Sequence, residues 1–514
     1  MQCQAQSVYE VYSSLGSQYL PTYNMQALRD RLSRITDLNH AAALLEWDQE
    51  TYMPEGAEES RARQVATLRS LSHEILVDDA TSKLIESASP ESPIDQDLLR
   101  VTKKDVEKAT RVPASLIAEL AIASGRSKGA WQKARATNNF SIFAPHLEKI
   151  VDLTVQHAEA LGYDQNPYDA LLDQYEEGMT TAEVARVFAD LKSQLIPLVK
   201  KIADAPKLDD RAVHGAFPED AQWAFGIEVA KQLGYDFHCG RQDLSAHPFS
   251  TAFSITDVRI TTRVDPSFFS PGFFGTLHEA GHAMYEQGID MALEGTPLAD
   301  GTSLGMHESQ SRLWENLIGR SKPFWSHYFP QAQTLFPEAL GKETLESFYQ
   351  SANTVAPSLI RVEADEVTYN LHIMLRFELE QEMISGKISI KDLPNAWNDR
   401  MESWLGVRPS TDSDGVLQDI HWSLGAIGYF PTYALGNLMS TQLFDAAKRD
   451  IPNLDSLTAS GQFADLLGWL RTHVHTHGRR KTASEILFDA TGAPLSSASW
   501  MQYATKKFGD LYGF

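Results

Sequence analysis

Cysteine is nearly absent: Cys3 and Cys239 are the only two in 514 residues. One pair cannot build a disulfide framework for a chain this long, so free thiols in a reducing compartment are expected. Positive charge is scarce as well. Lys and Arg number 45 against 68 Asp and Glu, a formal net charge of −23. That balance argues against nucleic acid and anionic membrane surfaces as partners, because their phosphates would be repelled. Long apolar runs are missing, and no stretch approaches the ~20 residues that cross a bilayer. The first twenty residues carry neither the basic start nor the apolar core of a signal peptide. Taken together, these absences point to a cytoplasmic enzyme. What is present is ordinary for a globular protein: 43% hydrophobic and 22% charged residues, with no repeat, low-complexity tract or linker.

Residues 7–243 read as mostly helical. Apolar residues recur at three- and four-residue steps from Met25 to Ile35, Leu98 to Ala109, Ser115 to Ala123 and Thr181 to Ile202. Breaks fall at Pro54-Glu55-Gly56, residues 87–93, Pro167 and Ala205-Pro206. The texture then changes. Residues 247–255 are rich in β-branched and aromatic side chains, and residues 257–264 alternate polar with apolar, which predicts a small sheet. Residues 289–302 read as a loop, and helical periodicity returns from His307, notably over Val355–Ile384 and Ile390–Leu405. The expected organisation is one unit, 1–514, with a helical N-terminal part, 1–243, and a part, 244–514, that carries the sheet and the chemistry.

The chemistry is concentrated in Leu277-His278-Glu279-Ala280-Gly281-His282. On a helix, two histidines four apart face the same side and can reach one metal ion, with Glu279 beside it as a base for water. Ser270 as N-cap, Pro271 in the first turn and Gly288 beyond the last turn frame such a helix. A catalytic site of this type needs a third protein ligand. Glu308, 30 residues after His278 and near the start of the next helix, is the leading candidate, with His307 and Glu315 as rivals. Such a His-His-Glu set suits zinc and also accepts cobalt or manganese. The tract His473-Val474-His475-Thr476-His477 lacks a carboxylate at useful spacing and reads as histidines at a helix C-terminus.

Several blocks together resemble the carboxypeptidase Taq family of zinc metallocarboxypeptidases along essentially the whole chain. They are His247-Pro248-Phe249, Asp257-Val258-Arg259-Ile260-Thr261, the H-E-A-G-H pentad, His307-Glu308-Ser309-Gln310, Ile360-Arg361-Val362-Glu363-Ala364-Asp365, and Gly415 through Trp422. The resemblance implies a mainly α fold: a large helical metallopeptidase with a central cleft, a small β-sheet beside the active site, and assembly as a homodimer. It also implies removal of single residues from free peptide C-termini with broad preference, one zinc per subunit, and Glu308 as third ligand. A carboxypeptidase must recognise the substrate carboxylate, and a guanidinium suits that task. Arg361 is the first choice, paired otherwise with Glu363, Asp365 or Glu366, and Arg408 is the reserve. Gln418, His421, Tyr429 and Tyr433 are expected to bind substrate or its oxyanion. His247 is expected to touch substrate, and Asp257 to orient a metal ligand or a substrate-binding group from behind. An internally cutting oligopeptidase and an inactive peptide-binding protein on the same fold are the competing readings.

Overall fold

The computed structural model describes residues 6–514, with side chains from Asn24 onward; Cys3 lies outside the described residues. Helices dominate. Among the described residues there is one sheet: β1 (Gln242–Leu244), β2 (Ser250–Ser254) and β3 (Asp257–Thr262), in the order β1-β3-β2. The two strands legible in the sequence, β2 from its β-branched and aromatic content and β3 from its alternation, pair antiparallel, and β1 runs parallel to β3 on its other side. Val258 and Ile260 of β3 are fully buried. Thr262 donates its hydroxyl to Gly272 O at 3.2 Å and accepts from the Thr276 hydroxyl at 3.2 Å. Those bonds tie the sheet to the first turns of the helix that carries the histidines.

That helix, hereafter the histidine helix, spans Phe269–Glu286. It begins one residue before the expected cap: Phe268 occupies the N-cap position, without a side-chain cap, and Ser270 is already inside. Packing overrides capping here. Phe269 has no exposed surface and stacks on Phe273 at 4.9 Å within an aromatic group that includes Trp325, Phe336 and Phe348. Gly288 does follow the last turn, but not as a left-handed stop. It is needed for room, since a Cβ there would lie 2.4 Å from His475 Nδ1.

Ser303 caps the next helix, Leu304–Arg312, by accepting from Met306 N at 3.0 Å. This ligand helix widens into a π-helical segment, Leu313–Gly319. It is squeezed between two others at glycines. A Cβ on Gly281 would fall 2.7 Å from Ser311 Cα, and one on Gly436 of the Pro431–Asp450 helix would fall 2.6 Å from Glu308 Cβ.

The expected long helix from Val355 does not form. Residues 355–368 are loop with a 3-10 turn at Arg361–Glu363, and the helix is Tyr369–Ile384. Pro357 lacks the amide hydrogen that a helix interior uses. Asp365 turns its carboxylate onto the amides of Val367 and Thr368, both at 2.9 Å, a local bond that competes with helix.

Apolar packing falls into two clusters. The larger runs from Val112 to Tyr512 and crosses residue 243. The smaller joins Met25, Leu28, Leu32 and Leu98 of the first helices to Ile255, Ile289, Leu293 and Leu298.

Candidate metal centre

His278 and His282 point their Nε2 atoms to one place, each 3.5 Å from Glu308 Oε2. The three donor atoms lie within 4.8 Å of one another, the one such group found among the described residues. A cation bonded to nitrogen and oxygen at ~2.1 Å in tetrahedral geometry would space its donors by ~3.4 Å. The cage therefore fits a small divalent ion, and its donors are those zinc prefers.

Each donor is held from behind. His278 Nδ1 meets Glu315 Oε2 at 2.9 Å, and His282 Nδ1 meets His307 Nδ1 at 2.8 Å. Arg312 donates from Nε to Glu308 Oε1 at 2.7 Å and from Nη1 to Glu315 Oε2 at 3.1 Å. His307 and Glu315, the rival ligands, thus lie behind the imidazoles instead of beside Glu308 Oε2. The chain signal for Arg312 was its place one turn after Glu308, too common a spacing to single out.

The carboxylates diverge in electrostatics. Burial pushes the pKa of Glu279, 7% exposed, up to about 7, with His278 opposing it. Burial works on Glu308 too, but the charges of Arg312 and His278 outweigh it and hold Glu308 well below the usual range. Burial lowers His278, yet Glu308 and Glu315 leave it above its ordinary value.

The expected substrate-side residues form a second group. Arg361, 6% exposed, pairs with none of its three expected carboxylates. Its Nε and Nη2 meet Asp419 Oδ1 at 3.0 and 2.9 Å, and its Nη1 donates to Tyr369 Oη at 3.0 Å. Arg376, missed in the sequence, shares that carboxylate, donating from Nε to Asp419 Oδ2 at 2.7 Å. Gln418 is committed to the backbone and Arg376: Oε1 accepts from Arg361 N and Arg376 Nη2, both at 2.8 Å, and its amide donates to Leu359 O at 3.0 Å. His421 packs on Phe430 at 4.5 Å and Tyr429 at 5.3 Å, and burial lowers its pKa to about 4, so it is neutral. Tyr433 lies under the Arg361 guanidinium at 5.2 Å and edges Tyr429 at 5.4 Å. Tyr175, also missed, edges Tyr429 from the other side at 5.2 Å.

Others lie elsewhere. The Asp257 carboxylate accepts from Arg259 at 2.9 and 2.8 Å, and the groups that meet the outer nitrogens of the two imidazoles are Glu315 and His307. Arg259 in turn lies over Trp47 at 4.5 Å. His247 is exposed between β1 and β2. Arg408 is bound by Asp399 and Glu402 at 2.9 and 2.7 Å. His475 is fully buried and meets Gln310 Oε1 at 2.9 Å.

Two imidazoles and a carboxylate converging from neighbouring helices, with a second carboxylate buried beside them, define a metallopeptidase. More narrowly, the chain belongs to the carboxypeptidase Taq (M32) metallopeptidase family, whose profile matches residues 27–508. It is 40% identical over 488 residues to Carboxypeptidase 1 of Bacillus subtilis (strain 168), spanning 94% of this chain and 97% of the relative. It is 43% identical over 488 residues to Thermostable carboxypeptidase 1 of Thermus thermophilus, spanning 92% and 95%. The crystal structure of an M32 carboxypeptidase from Deinococcus radiodurans R1 matches with a TM-score of 0.94 at 44% identity, covering 96% of this chain and 100% of that one. The protein is a metallocarboxypeptidase, mainly helical with one small sheet. No helix among the described residues is long and apolar enough to cross a membrane.

Proposed function

We propose that this enzyme releases single residues from peptides with a free C-terminus, with broad side-chain preference. His278, His282 and Glu308 hold the ion, Glu279 carries the proton, and Arg361 receives the substrate carboxylate. The observation that carries the reading is the convergence of both Nε2 atoms on Glu308 Oε2 at 3.5 Å with Glu279 buried alongside. Zinc is the proposed resident, from the donor set and the family resemblance. A divalent cation in that cage supplies Lewis acidity, polarising the scissile carbonyl and lowering the pKa of water.

The chain's own groups do the rest. With a pKa pushed up to about 7 by burial, Glu279 can take a proton from water onto its carboxylate and return it to the leaving amine nitrogen. Arg361 has five N–H donors. Nε and Nη1 each donate once, to Asp419 and Tyr369, and Nη2 lies in ion-pair contact with Asp419, so both Nη1 and Nη2 keep a hydrogen to offer. That edge matches a carboxylate by paired bonds. Arg361 and Arg376 share Asp419, so the buried group carries a surplus positive charge that an incoming carboxylate would neutralise. Asp419 holds the Arg361 guanidinium and Gln418 its backbone amide, while His421, Tyr429 and Tyr433 offer neutral donors for the substrate or its oxyanion. Assembly as a homodimer is part of the proposal, from the family resemblance.

The test pairs one peptide with its C-terminally amidated form, and wild type with Glu279→Gln. Zinc-loaded wild type is expected to trim the free peptide one residue at a time and spare the amide. The variant should lose about 10²–10⁴-fold in kcat with zinc still bound. Equal cleavage of both peptides would favour the internally cutting alternative, no cleavage the binding protein. An unchanged rate in the variant would remove Glu279 from its role.

A further inference from the structure

The two ligand imidazoles are supported unequally. His278 turns its outer nitrogen onto a carboxylate, Glu315, at 2.9 Å. His282 turns its outer nitrogen onto another imidazole: His282 Nδ1 and His307 Nδ1 are 2.8 Å apart. Two ring nitrogens at that distance share one proton, so one donates and the other accepts. Ligation through Nε2 requires the proton of His282 to sit on Nδ1. His307 Nδ1 must then accept, which leaves the proton of His307 on Nε2. That atom faces Glu286 Oε1 at 2.5 Å, placed to accept its hydrogen bond. From cage to Glu286, only one placement of protons satisfies every contact.

The surroundings hold His307 in that orientation. Glu286, its side chain 8% exposed, lies one turn beyond His282 on the histidine helix. The Tyr285 ring packs against His307 at 5.0 Å. Gly301 closes the slot: a Cβ there would fall 2.5 Å from His307 Cδ2, so the loop backbone comes down directly onto the imidazole.

We propose that His307, fixed by Glu286, is a positioning residue that sets the tautomer and orientation of His282 for metal binding. It does so as an acceptor on the far side of the His282 ring, and it touches neither substrate nor ion. Outer partners of this kind raise the basicity of a ligand imidazole, and their loss weakens metal binding by about 10–100-fold.

The inference rests on His282 being a ligand through Nε2. A control separates the two claims: His282→Ala that binds zinc as tightly as wild type would sink the ligand assignment itself. With that assignment intact, full-length His307→Phe, His307→Gln and Glu286→Gln are compared with wild type. Zinc affinity is read by chelator competition, the visible spectrum after cobalt substitution, and Tm without metal. Phenylalanine removes the acceptor while filling the slot, so affinity should fall about 10–100-fold, the cobalt bands should shift, and the metal-free Tm should hold. Glutamine presents a carbonyl oxygen to His282 Nδ1 and should recover most of the affinity. Wild-type affinity and spectrum in His307→Phe would overturn the proposal. So would equal loss in the glutamine variant, because an acceptor restored at that position would then have no effect. Should His307→Phe fail to fold, Glu286→Gln decides: several-fold weaker zinc binding supports the relay, and unchanged binding ends it.

Discussion

Six glutamates are buried in and around the active site, and their surroundings sort four of them in particular. Glu308, 5% exposed, has Arg312 against it and stays ionised, whereas Glu279, 7% exposed, has no such cation and is pushed up to about 7 by burial. Carboxylates driven apart in this way can divide ligand from base. Glu380, fully buried, takes hydrogen bonds from Tyr168 Oη at 2.6 Å, Trp422 Nε1 at 2.8 Å and Gly428 N at 3.0 Å, holding the loop that leads to Tyr429. Glu176, 1% exposed, accepts from Gly305 N, so it grips the first turn of the ligand helix three residues before Glu308. Burial raises Glu176 from 4.5 to about 7. Between those values the fold keeps a proton that the unfolded chain has lost. The stability it contributes is full below pH 4.5, drains as pH rises through the window, and is gone above about 7. Glu176→Gln keeps an acceptor for Gly305 and cannot ionise. Denaturant melts of the metal-free proteins should show the variant gaining on wild type by roughly 2–3 kcal/mol between pH 5 and pH 8. A difference that stays constant with pH would contradict the assignment.

Among the elements, the ligand helix is the one with least freedom. Gly281 and Gly436 admit its backbone from two sides, and its π-helical continuation lets Arg312 reach Glu308 while Glu315 reaches His278. Single π turns inside helices recur at functional sites for this kind of reason. Gly436→Ala would put a Cβ 2.6 Å from both Cβ and Cγ of Glu308, so the carboxylate must shift. A displacement of about 1 Å costs on the order of 10²-fold in rate, and overpacking costs about 1–3 kcal/mol. The expected result is a fall of that order in kcat/KM together with weaker zinc binding. Gly468→Ala, in the Ala464–His473 helix with nothing within 4 Å of its Cβ, should leave kcat/KM and zinc affinity unchanged. Equal kinetics in the two variants would show that the glycine contact does not govern Glu308. What the sequence discloses here follows from the range of the forces. The pentad's face is set by one turn of local geometry, so His278 and His282 were legible, as were the alternation in β3 and the β-branched and aromatic content of β2. Gly436 reads as a tolerated helical glycine, because its reason is a side chain 128 residues away. β1 has three residues, too few for a period, and the turn at Arg361 depends on Asp419 and Gln418, more than 50 residues downstream.

For the whole molecule, the question is what the ion adds to stability beyond completing the site. The larger apolar cluster already fixes the histidine helix through Phe269, Phe273, Phe274, Leu277, Ala280 and Met284, all buried. The ligand helix is fixed independently by Met306, by the glycine contacts and by the cap at Ser303. Its anchor at Glu308 is neutralised by Arg312 whether or not an ion is present. The smaller cluster is joined to the rest partly by ion pairs remote from the metal, Arg479 with Asp105 and Arg480 with Asp97, each at 2.8 Å. Removal of the ion should therefore abolish turnover without unfolding the chain. Binding to the folded state alone adds about 4 kcal/mol when free zinc is 1,000-fold above its Kd. In a chain of 514 residues that amounts to a shift in Tm of only several degrees, since large proteins convert free energy into temperature weakly. Calorimetry and far-ultraviolet circular dichroism before and after chelation are expected to show an unchanged helical signal at 25 °C, a modestly lower Tm, and full recovery of activity on returning zinc. Collapse of the helical signal on chelation would mean that the cage holds the two helices together, and that the aromatic packing around Phe269 is insufficient without it.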